Sequence, residues 1–347
     1  MSNGLRFFDA VNGFLKKKNV EFSLQRYFID ALGYMALGLF SSLLIGTILN
    51  TLGGKLGISL LTETIWPICR DMTGPAIAVA VAYALQAPPL VLFASTVTGA
   101  AGNALGGAVG AFVAAIVGAE FGKLVSKETK VDIIVTPAVT ILTGVSVGTL
   151  VGPIVAGFMA YLGNLIMYAT TLRPFLMGVV VSVVVGMVLT LPISSAALCM
   201  MLGLAGIAGG AATAGCSAQM VGFAVMSFRE NRWGGLLAQG LGTSMLQMPN
   251  IVRNWRIWIP PTLSAALTGP VSTMIFKMEN TPIGSGMGTS GLVGQFGTIQ
   301  AMSASGPIVY LHIAVLHFLL PAISTLFFAF FLRRWGWIKD GDLKLDI

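Results

Sequence analysis

Long apolar runs separated by short basic segments dominate the pattern of the chain. The clearest runs cover residues 27–49, 175–197 and 307–331. Each supplies the roughly 20 apolar residues that a helix needs to cross a hydrocarbon core. Inside lipid the backbone must satisfy its own polar groups, so these runs predict helices. Short segments of alternating polarity, the mark of a membrane β-barrel, are missing. The pattern predicts an all-α polytopic membrane protein with about ten transmembrane helices and shorter Gly/Pro-rich segments that re-enter without crossing.

The polar positions orient this array. Lys16, Lys17, Lys18 and Arg26 precede the first run, and Arg333, Arg334, Lys339 and Lys344 follow the last. Basic residues concentrate in cytoplasmic segments, so both termini are expected in the cytoplasm, with an even number of crossings. Lys123, Lys127 and Lys130 mark one cytoplasmic loop, Arg253 and Arg256 another, and Arg173 a weaker one. Phe7, Phe8, Val11 and Phe14/Leu15 recur at helical spacing beside the lysine cluster. They predict an amphipathic helix on the cytoplasmic surface, and the mixed polarity argues against a cleavable signal.

A faint internal repeat divides the chain. Arg26-Tyr27-Phe28 is answered by Arg173-Pro174-Phe175, and Gly74-Pro75 by Leu191-Pro192. Ala101-Gly102-Asn103 is answered by the segment at Gly215-Cys216-Ser217, and Leu142-Thr143-Gly144 by Leu267-Thr268-Gly269. The expected organisation is an N-terminal helix (1–25), a first membrane repeat (26–170), and a parallel second repeat (171–300). A final transmembrane helix (301–335) and a cytoplasmic tail (336–347) follow.

Composition sharpens this reading. Apolar residues make up 55% and charged residues 10%, against roughly 25% charged in soluble domains. The net charge of +7 is dispersed among short segments, which fits topology and not nucleic-acid binding. The 43 glycines suit close helix packing and broken helices around a site. Cys69, Cys199 and Cys216 lie apart in apolar context and read as packing residues. No zinc, Walker or nucleophile–base motif stands out, so no cofactor, metal or catalytic residue is assigned.

The richest chemistry lies at residues 277–300 (KMENTPIGSGMGTSGLVGQFGTIQ), which hold six glycines and several hydroxyls between apolar runs. Irregular backbone at membrane depth is tolerated only within protein or beside water, so a re-entrant hairpin is expected. Glu279 is its acid, able to accept two hydrogen bonds from neighbouring hydroxyls of a ligand. The alternative is an extramembrane loop in which Lys277 and Glu279 form a solvated pair. Asn103, within the small-residue segment 96–110, and Gln219, in the second-repeat position, are candidate ligand or interhelical contacts. Ser285 and Thr289 supply further hydroxyls on the hairpin. Arg229, Arg232, Arg253 and Arg256 read as topology determinants or as a docking site for anions. Arg70, Asp71 and Glu63 read as loop charges. His312 and His317, five apart, read as packing histidines and not a shared metal site.

Several residues together resemble a family. Phe7-Phe8-Asp9, Phe14-Leu15-Lys16-Lys17-Lys18 and Gln25-Arg26-Tyr27-Phe28 look like the entry helix and first span of sugar phosphotransferase-system IIC subunits. Glu279-Asn280-Thr281-Pro282-Ile283-Gly284 resembles the acid/Asn/Pro element on their re-entrant hairpin. Thr73-Gly74-Pro75, Ala101-Gly102-Asn103 and the glycines at 286–297 are most similar to a divergent branch that includes perfringolysin-regulator-type membrane proteins. The resemblance implies a homodimer, a transport domain moving against a dimerisation domain, and a sugar-like ligand held by Glu279 with Asn280 and Thr281 nearby. It also implies a bacterial inner-membrane permease working by alternating access. Two residues separate Glu279 from Pro282, where the family places the acid directly before proline. Phosphoryl transfer would need a separate IIB-like partner. Transport without that coupling is the leading expectation. The alternative is a ligand sensor that signals to a cytoplasmic partner.

Overall fold

The computed structural model describes residues 12–345, so Phe7, Phe8 and Val11 of the expected entry helix lie outside the described residues. Among the described residues the fold is all-helical, with no strand and one isolated antiparallel bridge between Gly206 and Asn280. In chain order the helices are α1 (Arg26–Leu56), α2 (Trp66–Asp71), α3 (Thr73–Ala84), α4 (Pro89–Val125) and α5 (Asp132–Thr170). Next come α6 (Pro174–Thr190), α7 (Ser195–Met201), α8 (Gly206–Met226), α9 (Phe228–Leu237), α10 (Met248–Arg253) and α11 (Ile259–Pro270). The chain finishes with α12 (Pro282–Ser285), α13 (Val293–Ala301) and α14 (Ile308–Arg334). Four of these, α1, α4, α5 and α14, are long and apolar enough to cross a membrane.

Two apolar runs behave differently from their hydropathy. The run at 175–197 is not one helix: α6 stops at Thr190, and Leu191 is extended ahead of Pro192. A residue preceding proline is sterically driven out of the α region, which ends the helix there. The second case is α4, whose 37 residues are broken at Gly106 (φ −142°) and Gly107 (φ 60°, ψ −153°). A Cβ on Gly102 would stand 2.5 Å from the Gly110 carbonyl oxygen, although eight residues of straight helix span about 12 Å. Val91 likewise lies against Gly122. The chain therefore reverses at Gly106-Gly107 into two antiparallel arms, 89–105 and 108–125. Each arm is about 25 Å long, close to the thickness of a hydrocarbon core.

The described chain divides into two compact units. The first comprises Met1–Ser42 with Asp71–Ala156. Small residues hold it together: Gly74 and Gly99 face each other so closely that a Cβ on either would strike the other's carbonyl. A Cβ on Gly38 would come 2.7 Å from the Ala76 oxygen, and one on Gly118 would come 2.8 Å from the Thr140 oxygen. Membrane helices lack a hydrophobic drive to associate, so close backbone contact and dispersion do that work.

The second unit comprises Leu43–Arg70 with Gly157–Ile347. Its core packs α6 against α8 and α11, with Ile166, Val181, Val185, Leu198 and Met220 buried together. Small residues again line the seams: Gly178 faces Gly269, Gly215 faces Ser182, and Ser182 Oγ donates to the Ala265 carbonyl at 2.7 Å.

One end of this unit is polar and closed by the C-terminal tail. Gln239, Gln247 and Asn250 are buried and linked, Gln247 Nε2 donating to Gln239 Oε1 and Asn250 Nδ2 to Gln247 Oε1, both at 2.9 Å. They hold the tail's backbone: Asn231 and Gln247 donate to the Leu343 carbonyl (2.8 and 3.0 Å), and Asn250 donates to the Lys344 carbonyl (2.8 Å). Glu230 accepts the Leu343 N–H and pairs with Arg333, while Leu343 and Leu345 are buried. Residues 228–233 (FRENRW) and 247–254 (QMPNIVRN), whose arginines read from the sequence as topology determinants or an anion-docking site, thus form the clasp for residues 338–345.

The glycine seam makes a direct stability prediction. Gly99→Leu is expected to destabilise the first unit by about 3 kcal/mol through overpacking. Gly54→Ala, at a helical position with nothing within 4 Å, is expected to be neutral or mildly stabilising. Thermal unfolding of both variants in detergent checks the difference; equal melting temperatures would contradict the seam.

Candidate functional site

The segment that follows α11 is built from the sequence upward as a broken fold-back. After Pro270 the helix widens into a π turn at Val271–Phe276 and stops at Lys277, which adopts a left-handed φ of 46°. Residues 278–281 are extended. Met278 is fully buried and its N–H donates to the Ser272 carbonyl at 2.9 Å. Asn280 pairs through its backbone with Gly206 in both directions, at 3.0 and 3.2 Å. Pro282 then starts α12, with Thr281 Oγ1 accepting the Gly284 N–H at 3.3 Å as an N-cap. Gly288, Gly291 and Leu292 have positive φ (53°, 52° and 58°), and they turn the chain back into α13.

Asn280 ties the two arms together. It is 1% exposed, and its Nδ2, which has two hydrogens, lies within hydrogen-bonding distance of three acceptors: Thr213 Oγ1 (2.6 Å), the Gly294 carbonyl (2.9 Å) and Thr298 Oγ1 (3.1 Å). Its Oδ1 accepts the Thr281 N–H at 2.7 Å. Gly284 and Gly297 sit so close to this amide that a Cβ on either would collide with it. Every polar atom of the side chain is therefore used in joining α8, α12 and α13.

The neighbouring residue is uncommitted. Glu279 is exposed; its backbone N–H points at Met302 Sδ, 3.4 Å away. Among the described residues its carboxylate has no hydrogen bond or ion pair, and the Lys277 ammonium has none either. No ion pair joins Lys277 to Glu279, and both side chains are exposed.

The remaining sequence-derived candidates fall into place unequally. Ser285 is buried, and its hydroxyl faces the Leu204 and Thr281 carbonyls, both at 2.7 Å. Thr289 is buried against Met220 Sδ at 3.6 Å. Thr281 is half-buried beside Glu279. Gln219 is buried in a network of its own, its Oε1 accepting from Trp258 Nε1 (3.0 Å) and Thr190 (3.3 Å). Its Nε2 donates to Thr262 Oγ1 at 3.1 Å. Asn103 is half-buried near the reversal of α4, in the first unit.

Sequence reasoning missed one pair. Gln295 Nε2 and His317 Nδ1 lie 3.2 Å apart, both residues are buried, and Gln295 Oε1 and His317 Nε2 have no partner. Buried Ser217 Oγ and Ser290 Oγ are also unpartnered. Their only signal in the sequence was polarity inside apolar runs. His312 instead stacks on Phe276, ring centroids 4.6 Å apart. Among the described residues no group of three or more His, Cys, Asp or Glu converges to hold a metal.

The arrangement offers a carboxylate on a rigid, glycine-lined turn, adjacent to a fully satisfied amide. An unpartnered carboxylate can accept hydrogen bonds from the hydroxyls of a ligand. No curated protein and no solved structure gives a significant match to the chain. A family model described as "Phosphotransferase system, EIIC" matches residues 29–345, which takes in both units and the fold-back at 277–300. The chain belongs to the phosphotransferase-system EIIC family of multi-pass membrane permeases.

Proposed function

We propose that the protein is a permease for a small, uncharged, sugar-like solute, and that Glu279 is the group that holds it. The observation that carries this reading is the pairing of a fully used Asn280 with a free carboxylate one residue earlier. An ionised acceptor without a protein partner is available to two ligand hydroxyls, and such charge-assisted bonds are the strong ones. Thr281 lies within reach of the same edge. Asn280 and Ser285 hold the backbone that follows it, Thr289 and Gln219 are further candidates in contacts of their own, and Asn103 is a separate candidate in the first unit.

In this reading residues 277–300 re-enter the membrane, and the shorter helices bring the crossings to about ten. The two halves act as a parallel repeat that alternates access. The protein works as a homodimer in a bacterial inner membrane, both termini cytoplasmic. In this reading transport proceeds without phosphorylation of this chain; Cys199 and Cys216 are buried, and Cys69 is half-buried. A IIB-like partner would have to act on the solute directly. A second reading, a ligand sensor, draws support from the clasped tail, whose release would alter the polar end of the second unit.

Flux of radiolabelled monosaccharides into proteoliposomes tests the proposal. Glu279→Gln is expected to weaken solute binding about 10- to 100-fold, from loss of a charge-assisted acceptor. Because Glu279 is exposed and unpaired, that variant should melt like the parent. Retained binding, or no flux of any sugar by the parent, overturns the transport reading; ligand binding without flux transfers support to the sensor.

Asn280→Ala should behave oppositely. It leaves buried acceptors without a donor and is expected to cost on the order of 3 kcal/mol of stability. Hydrogen exchange across 278–298 should rise in parallel. An unchanged melting curve would contradict the structural role of this amide.

A further inference from the structure

The first unit carries a cationic recess that the transport reading does not use. Its volume is about 270 Å³, and Lys17, Lys18, Lys123, Lys127, Ser126, Pro88 and Glu128 line it. Two of the four ammonium groups are occupied. Lys18 Nζ donates to the Ser126 carbonyl at 2.5 Å and pairs with Glu128. Lys123 Nζ donates to the Asn19 and Leu85 carbonyls (2.8 and 3.1 Å) and pairs with Glu120 at 2.8 Å. The hydrogen bond from Lys18 holds the Glu128 carboxyl below its ordinary range, so it stays ionised and matched to that lysine. The ammonium groups of Lys17 and Lys127 make no hydrogen bond or ion pair among the described residues. The recess thus keeps two ammonium groups without a direct partner, although Lys17 acts on Glu128 and Lys127 on Asp132 through longer-range attraction.

Unusual backbone lies in its lining at Lys127 and next to that lining at Asn19 and Gln86. Asn19 (φ 54°), Gln86 (φ 56°) and Lys127 (φ 61°) are three of the six non-glycine residues with positive φ among the described residues. Each is fixed by a specific bond. Asn19 Nδ2 donates to Gln86 Oε1 at 2.6 Å, and the Lys127 N–H donates to Asp132 Oδ1 at 2.6 Å. Arg26 adds a bond from its guanidinium to the Leu85 carbonyl at 2.7 Å. Strained backbone persists where the surroundings over-determine it, and it clusters at ligand clamps.

The surroundings identify the ligand. Phe121, Val131, Ile133 and Ile134 flank the lysine loop and are exposed, as are Phe14, Phe22 and Leu24 on the segment that carries Lys17 and Lys18. A cationic recess rimmed by exposed apolar side chains at helix ends matches the headgroup level of a bilayer, with acyl chains against the rim. We propose that this recess holds the phosphate of an anionic phospholipid headgroup, with Lys17 and Lys127 as its ammonium donors. Aqueous phosphate shares the headgroup chemistry but has no use for the apolar rim.

The test places the full chain in phosphatidylcholine nanodiscs containing phosphatidylglycerol and counts retained lipids by native mass spectrometry. Replacing both residues (Lys17→Gln with Lys127→Gln) is expected to weaken phosphatidylglycerol retention about 30-fold, each lysine near an anionic surface contributing about five-fold. Retention by the parent should fall as salt is raised. Melting in neutral detergent should not move, since neither ammonium group has a protein partner. The control pair Lys339→Gln with Lys344→Gln should retain the lipid. Equal losses in both pairs would mean diffuse attraction and overturn the site, as would unchanged retention in the first pair. Titration with inorganic phosphate in neutral detergent separates the sources. Lysine-dependent phosphate binding with lysine-independent lipid retention would make this a soluble-anion site and overturn the lipid assignment.

Discussion

The side-chain amide of Asn280 is the interaction on which the candidate site depends. Between Lys277 and Val293 the chain leaves regular helix, and each peptide freed from a helix must find another partner or be left unsatisfied at a cost. The local solution uses few parts. A backbone pair with Gly206 fixes the first strand-like step, the Thr281 cap starts α12, and the carboxamide spans from α8 to α13. Glycines at 284 and 297 then become obligatory, because the amide occupies the space that a Cβ would need. One polar side chain thereby sets the composition of its neighbours.

The same economy of space governs both units. Gly74 against Gly99 in the first, and Gly178 against Gly269 in the second, bring helix backbones into direct contact. Seams of this kind admit small hydroxyl side chains such as Ser182 and Thr140, and the larger buried polar groups concentrate elsewhere. One place is the amide clasp around the tail, a second the Gln219–Trp258–Thr190 network, and a third the Gln295–His317 pair. The last differs from the others in being incomplete. Its two outward atoms are buried and unpartnered, which marks it as the least satisfied polar feature of the second unit.

How much of this was legible in the sequence depended on the range of the interactions. Runs 27–49 and 307–331 match α1 and α14 because hydropathy and helix ends coincide there. Run 175–197 overshot α6, since a hydropathy window does not register the steric effect of Pro192. The reversal inside α4 stayed hidden for a related reason: its Gly106-Gly107 pair lies among many other small residues, and apolarity continues through the turn. At 277–300 the density of glycine and the single proline announced irregular backbone. The role of Asn280 did not show, because Thr213 lies 67 residues away along the chain. Likewise the amides of QMPNIVRN found their partners in a tail 94 to 96 residues later, a distance that no local pattern encodes.

Adjacent residues with opposite fates give the site its logic. Asn280 directs both polar atoms of its side chain into the fold. Glu279 has spent only its backbone, yet it inherits the rigidity that its neighbour creates. A carboxylate on a flexible loop would lose side-chain and backbone freedom on binding, and that loss would subtract from affinity. Fixed by the bridge to Gly206 on one side and by buried Met278 on the other, the backbone at Glu279 has already been ordered during folding. The contrast between amide and acid is therefore one of partners: Asn280 is bound into the fold through its side chain, and the exposed Glu279 carboxylate is held only through its backbone.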